Sequence, residues 1–194
     1  MNITKQYSTQ GNPIVYSEKF ISNDLPTVLI YGHYDVQLAD PIELWETPPF
    51  EPTIRNGRIY ARGACDDKSQ VYLVIKALET LNAFGNLRCN IKVIFEGEEE
   101  TGSESLKTFV VENKDLLKSD VLLVCDTSMP EENKPTLVTS LRGICYFEIE
   151  VTGAPKDLHS GMLGGAVINS LQVMCDLLTQ LKNNDNTISI PGFS

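Results

Sequence analysis

The stretch NIKVIFEGEEE (Asn90–Glu100) alternates Ile91, Val93 and Phe95 and then sets Glu96, Glu98, Glu99 and Glu100 within five positions. Alternation of that kind predicts a β-strand with a buried face. A strand that is buried and yet ends in so much negative charge poses the question of what those carboxylates face. A run of acids alone is ordinarily a solvated surface, so the decision lies with the rest of the chain.

Working outward, two further β-rich apolar runs, TVLIYGHYD (27–35) and DVLLVCD (120–126), flank it. The segment QVYLVIKALETL (70–81) has helical spacing, with Gly85 beyond it as a stop, and a second helix is expected to begin at Ser103, whose hydroxyl can accept a bond from a free amide of the first turn. Strands alternating with helices predict an α/β domain with a mostly parallel sheet, whose ligands gather beyond the carboxyl ends of the strands. All three runs end there in His or acid. The segment from Asp40 to Gly57 carries four prolines and no clean periodicity, which predicts a long ordered loop over the site. Near Ser140 the character changes. ICYFEIEV (144–151) alternates as a strand, PKDLHSGMLGG reads as a loop, and AVINSLQVMCDLLTQL (166–181) is spaced as a helix, so the expected domains are 1–140 and 141–194.

The bulk properties exclude several classes. A net charge of −10, with no cluster of Lys and Arg, argues against a nucleic-acid partner. No apolar run approaches the ~20 residues of a membrane helix, and the first 20 residues lack the apolar centre of a signal peptide; the expectation is a cytoplasmic protein without a membrane partner. Five widely spaced cysteines fit reduced thiols better than a disulfide framework, and without a C-x-x-C they do not suggest a thiolate zinc site.

The strand ends carry the chemistry: His33 and Asp35 in GHYD, Asp66 and Asp67 in GACDDK, Glu99 and Glu100 in EGEEE, and Asp126 in VLLVCD. Singly each has a bland explanation, such as a charge complementing a helix dipole for Asp66 and Asp67. Together they put one of only two histidines among several carboxylates. Oxygen and imidazole donors without thiolate fit zinc, manganese or cobalt, and a two-ion hydrolytic site needs a bridging carboxylate. With three protein contacts per ion, His33, Asp66 counted twice, one Glu and Asp126 make five, one short of six. Cys65 offers a thiol-enzyme alternative, but its neighbour Asp66 is a carboxylate, which disfavours a thiolate.

The segments YGHYDVQ, ARGACDDK, FEGEEETGSESL, VLLVCD, LRGICYFEIEV and KDLHSG resemble the successive motifs of the aminoacylase and cytosolic non-specific dipeptidase family of di-metal peptidases, its carnosinase-like branch in particular. The resemblance implies a three-layer catalytic domain followed by the first part of an α+β lid and dimerisation domain. It implies two divalent ions, zinc by preference, and hydrolysis of dipeptides or small peptides. By motif, His33 resembles the ligand of one ion, Asp66 the bridge, Glu99 the general base, Glu100 the ligand beside it, and Asp126 the ligand of the other ion. Asp35 resembles the acid that holds the His33 ring and fixes its tautomer. His159 resembles the lid histidine that reaches the substrate in the partner subunit's site, which implies a homodimer. Aligned on the family's F-E-G-x-E-E-[ST]-G-S, Glu98 falls on the variable position; Gly97 and the following T-G-S supply the irregular end that lets Glu99 and Glu100 share a site, so that metal would neutralise the acid run. Ser69 stands where the family usually has Gly. The chain stops inside the lid, before the family's final histidine, so the expectation is a fragment; the alternative is an inactive remnant acting as a dimerising module.

Overall fold

A computed structural model describes residues 3–193. The chain divides into two compact units, Met1–Thr139 and Ser140–Ser194.

The first unit is built on a five-stranded mixed sheet in the order β1-β2-β6-β3-β7, comprising β1 (Ile3–Tyr7), β2 (Ile14–Lys19), β3 (Thr27–His33), β6 (Asn90–Glu96) and β7 (Val121–Val124). β3 pairs in parallel with β6 on one side and β7 on the other, while β1 and β2 add antiparallel to β6. Both faces of the sheet are covered at its centre, over β2, β3 and β6, as a parallel core requires, whereas β7 is exposed. The 91, 93, 95 alternation and Ile30 face helix α1 (Ser69–Ala83), which meets them through Val74 and Leu78. Residues of opposite parity, Leu29 and Ile94, join Ile14 and Tyr16 against Phe109 of α2 (Glu104–Glu112) and Leu117 of α3 (Lys114–Leu117). Each such buried side chain contributes about 1.5–3 kcal/mol.

Connectivity decides where a ligand can lie. From β3 the chain passes through α1 to β6 on one side; from β6 it passes through α2 and α3 to β7 on the other. The strand order therefore reverses at β3, and the crevice of such a sheet opens at the carboxyl end of that strand. The last residue of β3 is His33, in register with Glu96 of β6.

Polar side chains brace this frame. Asn90, buried at the start of β6, accepts from the amides of Ile21 (2.7 Å) and Ser22 (3.1 Å) and donates to the carbonyls of Ser22 (2.8 Å) and Leu25 (3.0 Å), folding the loop before β3. Lys92 donates to the carbonyls of Leu116 (2.7 Å) and Lys118 (2.8 Å) at the end of α3. Gly85 ends α1 with φ +64°.

Several expectations are corrected. The antiparallel strands β1 and β2 had no counterpart in the sequence reading. Residues 40–57 are not wholly loop: they hold a 3-10 turn (Ile42–Leu44) and most of a hairpin of β4 (Thr53–Arg55) and β5 (Arg58–Tyr60). In the second unit α4 (Ser160–Leu163) interrupts the expected loop, and α5 spans Ser170–Gln180, starting later than 166 because Asn169 Oδ1 accepts from Leu171 N at 2.8 Å. The strand expected at 144–151 is not formed. A strand exists through hydrogen bonds to a neighbour, and among the described residues of this unit the only bridge is Lys182 to Ile188. Among the described residues no helix is long and apolar enough to cross a membrane.

Candidate metal centre

His33 is wholly buried and gripped at three points. Its amide donates to Asp67 Oδ2 (3.0 Å), its Nδ1 lies 3.1 Å from Asp35 Oδ1, and its Nε2 faces Asp66 Oδ1 at 3.0 Å and Asp126 Oδ2 at 3.7 Å. An ionised carboxylate can only accept, so Nδ1 carries the proton and donates the hydrogen bond to Asp35. Nε2 then turns a lone pair toward two carboxylates, an arrangement that holds together only with a proton or a cation between them. Burial lowers the His33 pKa, but the bonds to Asp66 and Asp35 and the charge of Asp126 outweigh it and raise the net value.

Asp66 and Asp67 lie on the π-helical turn Ala64–Lys68, joined by a cis peptide bond. Gly63 leads into that turn at φ +76°, with Val36 Cγ1 2.3 Å from where a Cβ would stand, so neither the conformation nor the space suits another residue. Asp66 is exposed toward the crevice, whereas Asp67 is buried and, among the described residues, its Oδ1 has no partner. Burial pushes the Asp67 carboxyl up, and the charge of Asp126 adds to it. Asp126 follows β7 by two residues and is raised by burial and by the charges of Asp66 and Glu100.

The acid run divides its labour. Glu99 begins a 3-10 turn (Glu99–Thr101) that Asp35 holds from beneath, one oxygen accepting from Glu99 N at 3.3 Å and the other from Glu100 N at 3.0 Å. Burial, with the charges of Asp126, Glu100 and Asp66, raises the Glu99 pKa against the pull of His33. Glu100 Oε2 accepts from Gln37 Nε2 at 2.8 Å. Glu96 is buried under the turn, its Oε1 accepting from the hydroxyls of Tyr31 (2.6 Å) and Ser103 (2.8 Å). Glu98 turns away, toward Asn12 and Ser105, and backbone hydrogen bonds to Ser105 and Asn12 hold its carboxyl below the usual range.

The structure thus brings His33, Asp66 and Asp126 together, their ligand atoms all within 4.8 Å of one another. Asp126 lies beside His33 because the sheet order places β7 directly beside β3. Glu100 stands outside that group. Within the acid run, hydrogen bonds from Asn12 and Ser105 satisfy Glu98. The cap expected from Ser103 is also corrected: its hydroxyl is drawn to Glu96, and Glu98 Oε2 instead accepts from Ser105 N (2.9 Å) in the first turn of α2. His159, in the second unit, is exposed and caps α4, its Nδ1 accepting from Gly161 N at 3.0 Å. Sequence reasoning placed Asp67 among the strand-end acids without a role of its own at the site, and carried Gln37 only as the last residue of the YGHYDVQ segment.

The imidazole nitrogen and carboxylate oxygens form a thiolate-free donor set suited to a divalent cation of the zinc, manganese or cobalt kind, and the lone pair of Nε2 aimed at two carboxylates is the place for it.

Comparison with known proteins agrees. The model of "Peptidase family M20/M25/M40" matches residues 29–188. The chain is 39% identical over 184 residues to a Cys-Gly metallodipeptidase of Schizosaccharomyces pombe, covering 93% of this chain and 39% of that one. To the Beta-Ala-His dipeptidase of Mus musculus it is 38% identical over 183 residues, covering 93% and 37%. Among solved structures it resembles an M20 family metallo-carboxypeptidase of Sulfolobus solfataricus, with a TM-score of 0.77, 32% identity and coverage of 98% of this chain and 43% of that one. The chain spans about two fifths of the length of these relatives. By its sequence and its fold, the chain belongs to the M20/M25/M40 family of peptidases.

Proposed function

We propose that this chain carries the metal-binding half of a dipeptidase site that cleaves the peptide bond of dipeptides or small peptides in the cytoplasm. The observation that supports it most is the His33 Nε2 lone pair directed at Asp66 and Asp126. His33, Asp66 and Asp126 would hold one divalent ion, zinc by preference, and Asp66 with Glu100 would contribute to a second. A bound ion of this kind supplies Lewis acidity, which acidifies water and polarises a carbonyl.

Glu99 is the general base in this reading. Its raised pKa makes it a stronger base than an exposed glutamate, and it takes a proton from the attacking water and returns it to the leaving amine. Asp35 fixes the His33 tautomer and the turn that carries Glu99 and Glu100. His159 is assigned to the substrate: with Nδ1 accepting from Gly161, its proton is on Nε2, a donor suited to an oxyanion. That role, and the homodimer it implies, rest on the resemblance of the D-L-H-S-G segment. The five free thiols support a reducing compartment.

The test is hydrolysis of a dipeptide by the zinc-loaded chain, with and without chelator, beside Glu99→Gln. Chelator-sensitive turnover that Glu99→Gln abolishes without loss of zinc supports the assignment; equal turnover in the variant rejects it. Zinc binding without turnover in the unaltered chain points to the non-catalytic, dimerising module.

A further inference from the structure

Glu98 holds the position in the acid run to which the catalytic reading gives no work, yet it is bonded on every side. Its carboxylate accepts from Asn12 N (2.8 Å), Ser105 N (2.9 Å) and Ser105 Oγ (3.1 Å). Its carbonyl accepts from the amides of Thr101 (3.0 Å) and Ser103 (2.8 Å) and from Thr101 Oγ1 (3.1 Å). Asn12 adds a bond from Nδ2 to the Gly97 carbonyl at 2.5 Å, and Tyr34 donates to the Pro13 carbonyl at 2.5 Å. The loop between β1 and β2 is thereby fastened to the turn carrying Glu99 and Glu100. The fit leaves no slack: a Cβ on Gly11 would lie 1.5 Å from Glu98 Oε1.

Glu99 and Glu100 are adjacent carboxylates that repel each other and tend to open the turn that presents them. Asp35 grips their amides from the β3 side. The grip from the opposite side comes from Glu98 through Asn12 and Ser105, groups outside the crevice.

We propose that Glu98, together with Asn12, is a positioning residue that locks the Gly97–Thr101 turn and so keeps Glu99 and Glu100 at the metal centre; the functional half of this rests on the metal-hydrolase reading above. The β1–β2 loop thus becomes a working part of the site, although it lies more than 80 residues away in sequence from the turn it holds.

The experiment compares the unaltered chain with Glu98→Ala, Glu98→Gln and Gly11→Ala, using Asn90→Ala as a control that destabilises the fold at the opposite end of β6. Two quantities are read in each: amide hydrogen exchange at Glu99, Glu100 and Thr101, and zinc affinity by titration. Glu98→Ala and Gly11→Ala are expected to speed exchange at the turn by about tenfold or more while the His33 amide, bonded to Asp67, keeps its rate, and to weaken zinc by about 10- to 100-fold. Glu98→Gln, which retains an acceptor oxygen, recovers part of both, and Asn90→Ala leaves zinc affinity unchanged. Unchanged exchange in Glu98→Ala and Gly11→Ala overturns the proposal, as does faster exchange with unchanged zinc affinity. If the unaltered chain takes up no zinc, the metal-hydrolase reading falls, and exchange alone decides whether Glu98 locks the turn. If Glu98→Ala does not fold, Gly11→Ala and Glu98→Gln decide by the same criteria.

Discussion

Asp35 Oδ1 lies 3.1 Å from His33 Nδ1, two residues back along the chain, so the segment that leaves β3 just after the imidazole delivers the group that orients it. The same carboxylate accepts the amides of Glu99 and Glu100, which makes it a joint between β3 and the turn after β6.

Replacing Asp35 by Asn removes the charge that fixes the proton on Nδ1 and offers an NH2 group where acceptors are needed. Zinc affinity is expected to fall by about 10- to 100-fold, measured by competition with a chromophoric chelator. An affinity equal to that of the unaltered chain would sink the orienting role.

Without metal, the centre is a store of protons. The raised pKa of His33 contributes stability that is fully present below about pH 6.5 and is lost as pH rises through the folded value. The carboxyls of Glu99, Asp126 and Asp67, pushed up chiefly by burial, are a folded-state cost that grows as pH rises from about 4. Both effects have one sign. Melting of the chelator-treated chain should come at lower temperature at pH 8 than at pH 6, and zinc should raise it more at pH 8, because the ligands must shed protons to bind. A flat or opposite trend in the metal-free chain counts against the charge assignment.

Asn90→Ala strips one hydrogen bond from each of four main-chain groups at the start of β6, of which the Ser22 carbonyl keeps a longer one from Leu25 N. The expected loss is about 2–4 kcal/mol, read as a lower urea midpoint with unchanged slope. Because the residue lies at the amino end of the strand, away from His33, zinc affinity should survive.

Cys65 is exposed and takes no part in the cluster of His33, Asp66 and Asp126. Alkylating it, confirmed by mass spectrometry, should leave zinc binding and any dipeptide turnover intact. Loss of turnover with retained zinc would revive the thiol alternative.

What could be read from the sequence was what local periodicity carries. The apolar runs of β3, β6 and β7 and the spacing of Val71, Val74 and Leu78 in α1 announce themselves, and the His and acids at the strand ends follow from them. β1 and β2 stayed hidden because Ile3–Tyr7 alternates among polar residues on an exposed edge, and only Ile14 and Tyr16 of its partner are deeply buried. The alternation at 144–151 is present but lacks a neighbouring strand to bond with among the described residues. Ser103 has the right residue type for a cap, yet a buried carboxylate seven positions earlier claims its hydroxyl.

Within the site, the spatial grouping of the candidate ligands was the part sequence could not resolve. Whether Asp126 stands with His33 or across from it depends on the order β6-β3-β7, a tertiary fact with no signature in any one segment. Likewise Asp67 turns inward and Asp66 outward although they are neighbours, a choice made by the irregular turn that holds them.

The pairing of β3 with β6 has an asymmetric effect on how the chain can vary in length. Side chains of a strand alternate between faces, so one amino acid inserted between Thr27 and Gly32 would rotate His33 to the opposite side and take it from Asp66 and Asp126. Downstream, the chain from Leu38 to Pro52 makes no pairing with the main sheet and can lengthen or shorten without changing that parity. Variation in size should therefore accumulate on one side of the histidine and be purged on the other.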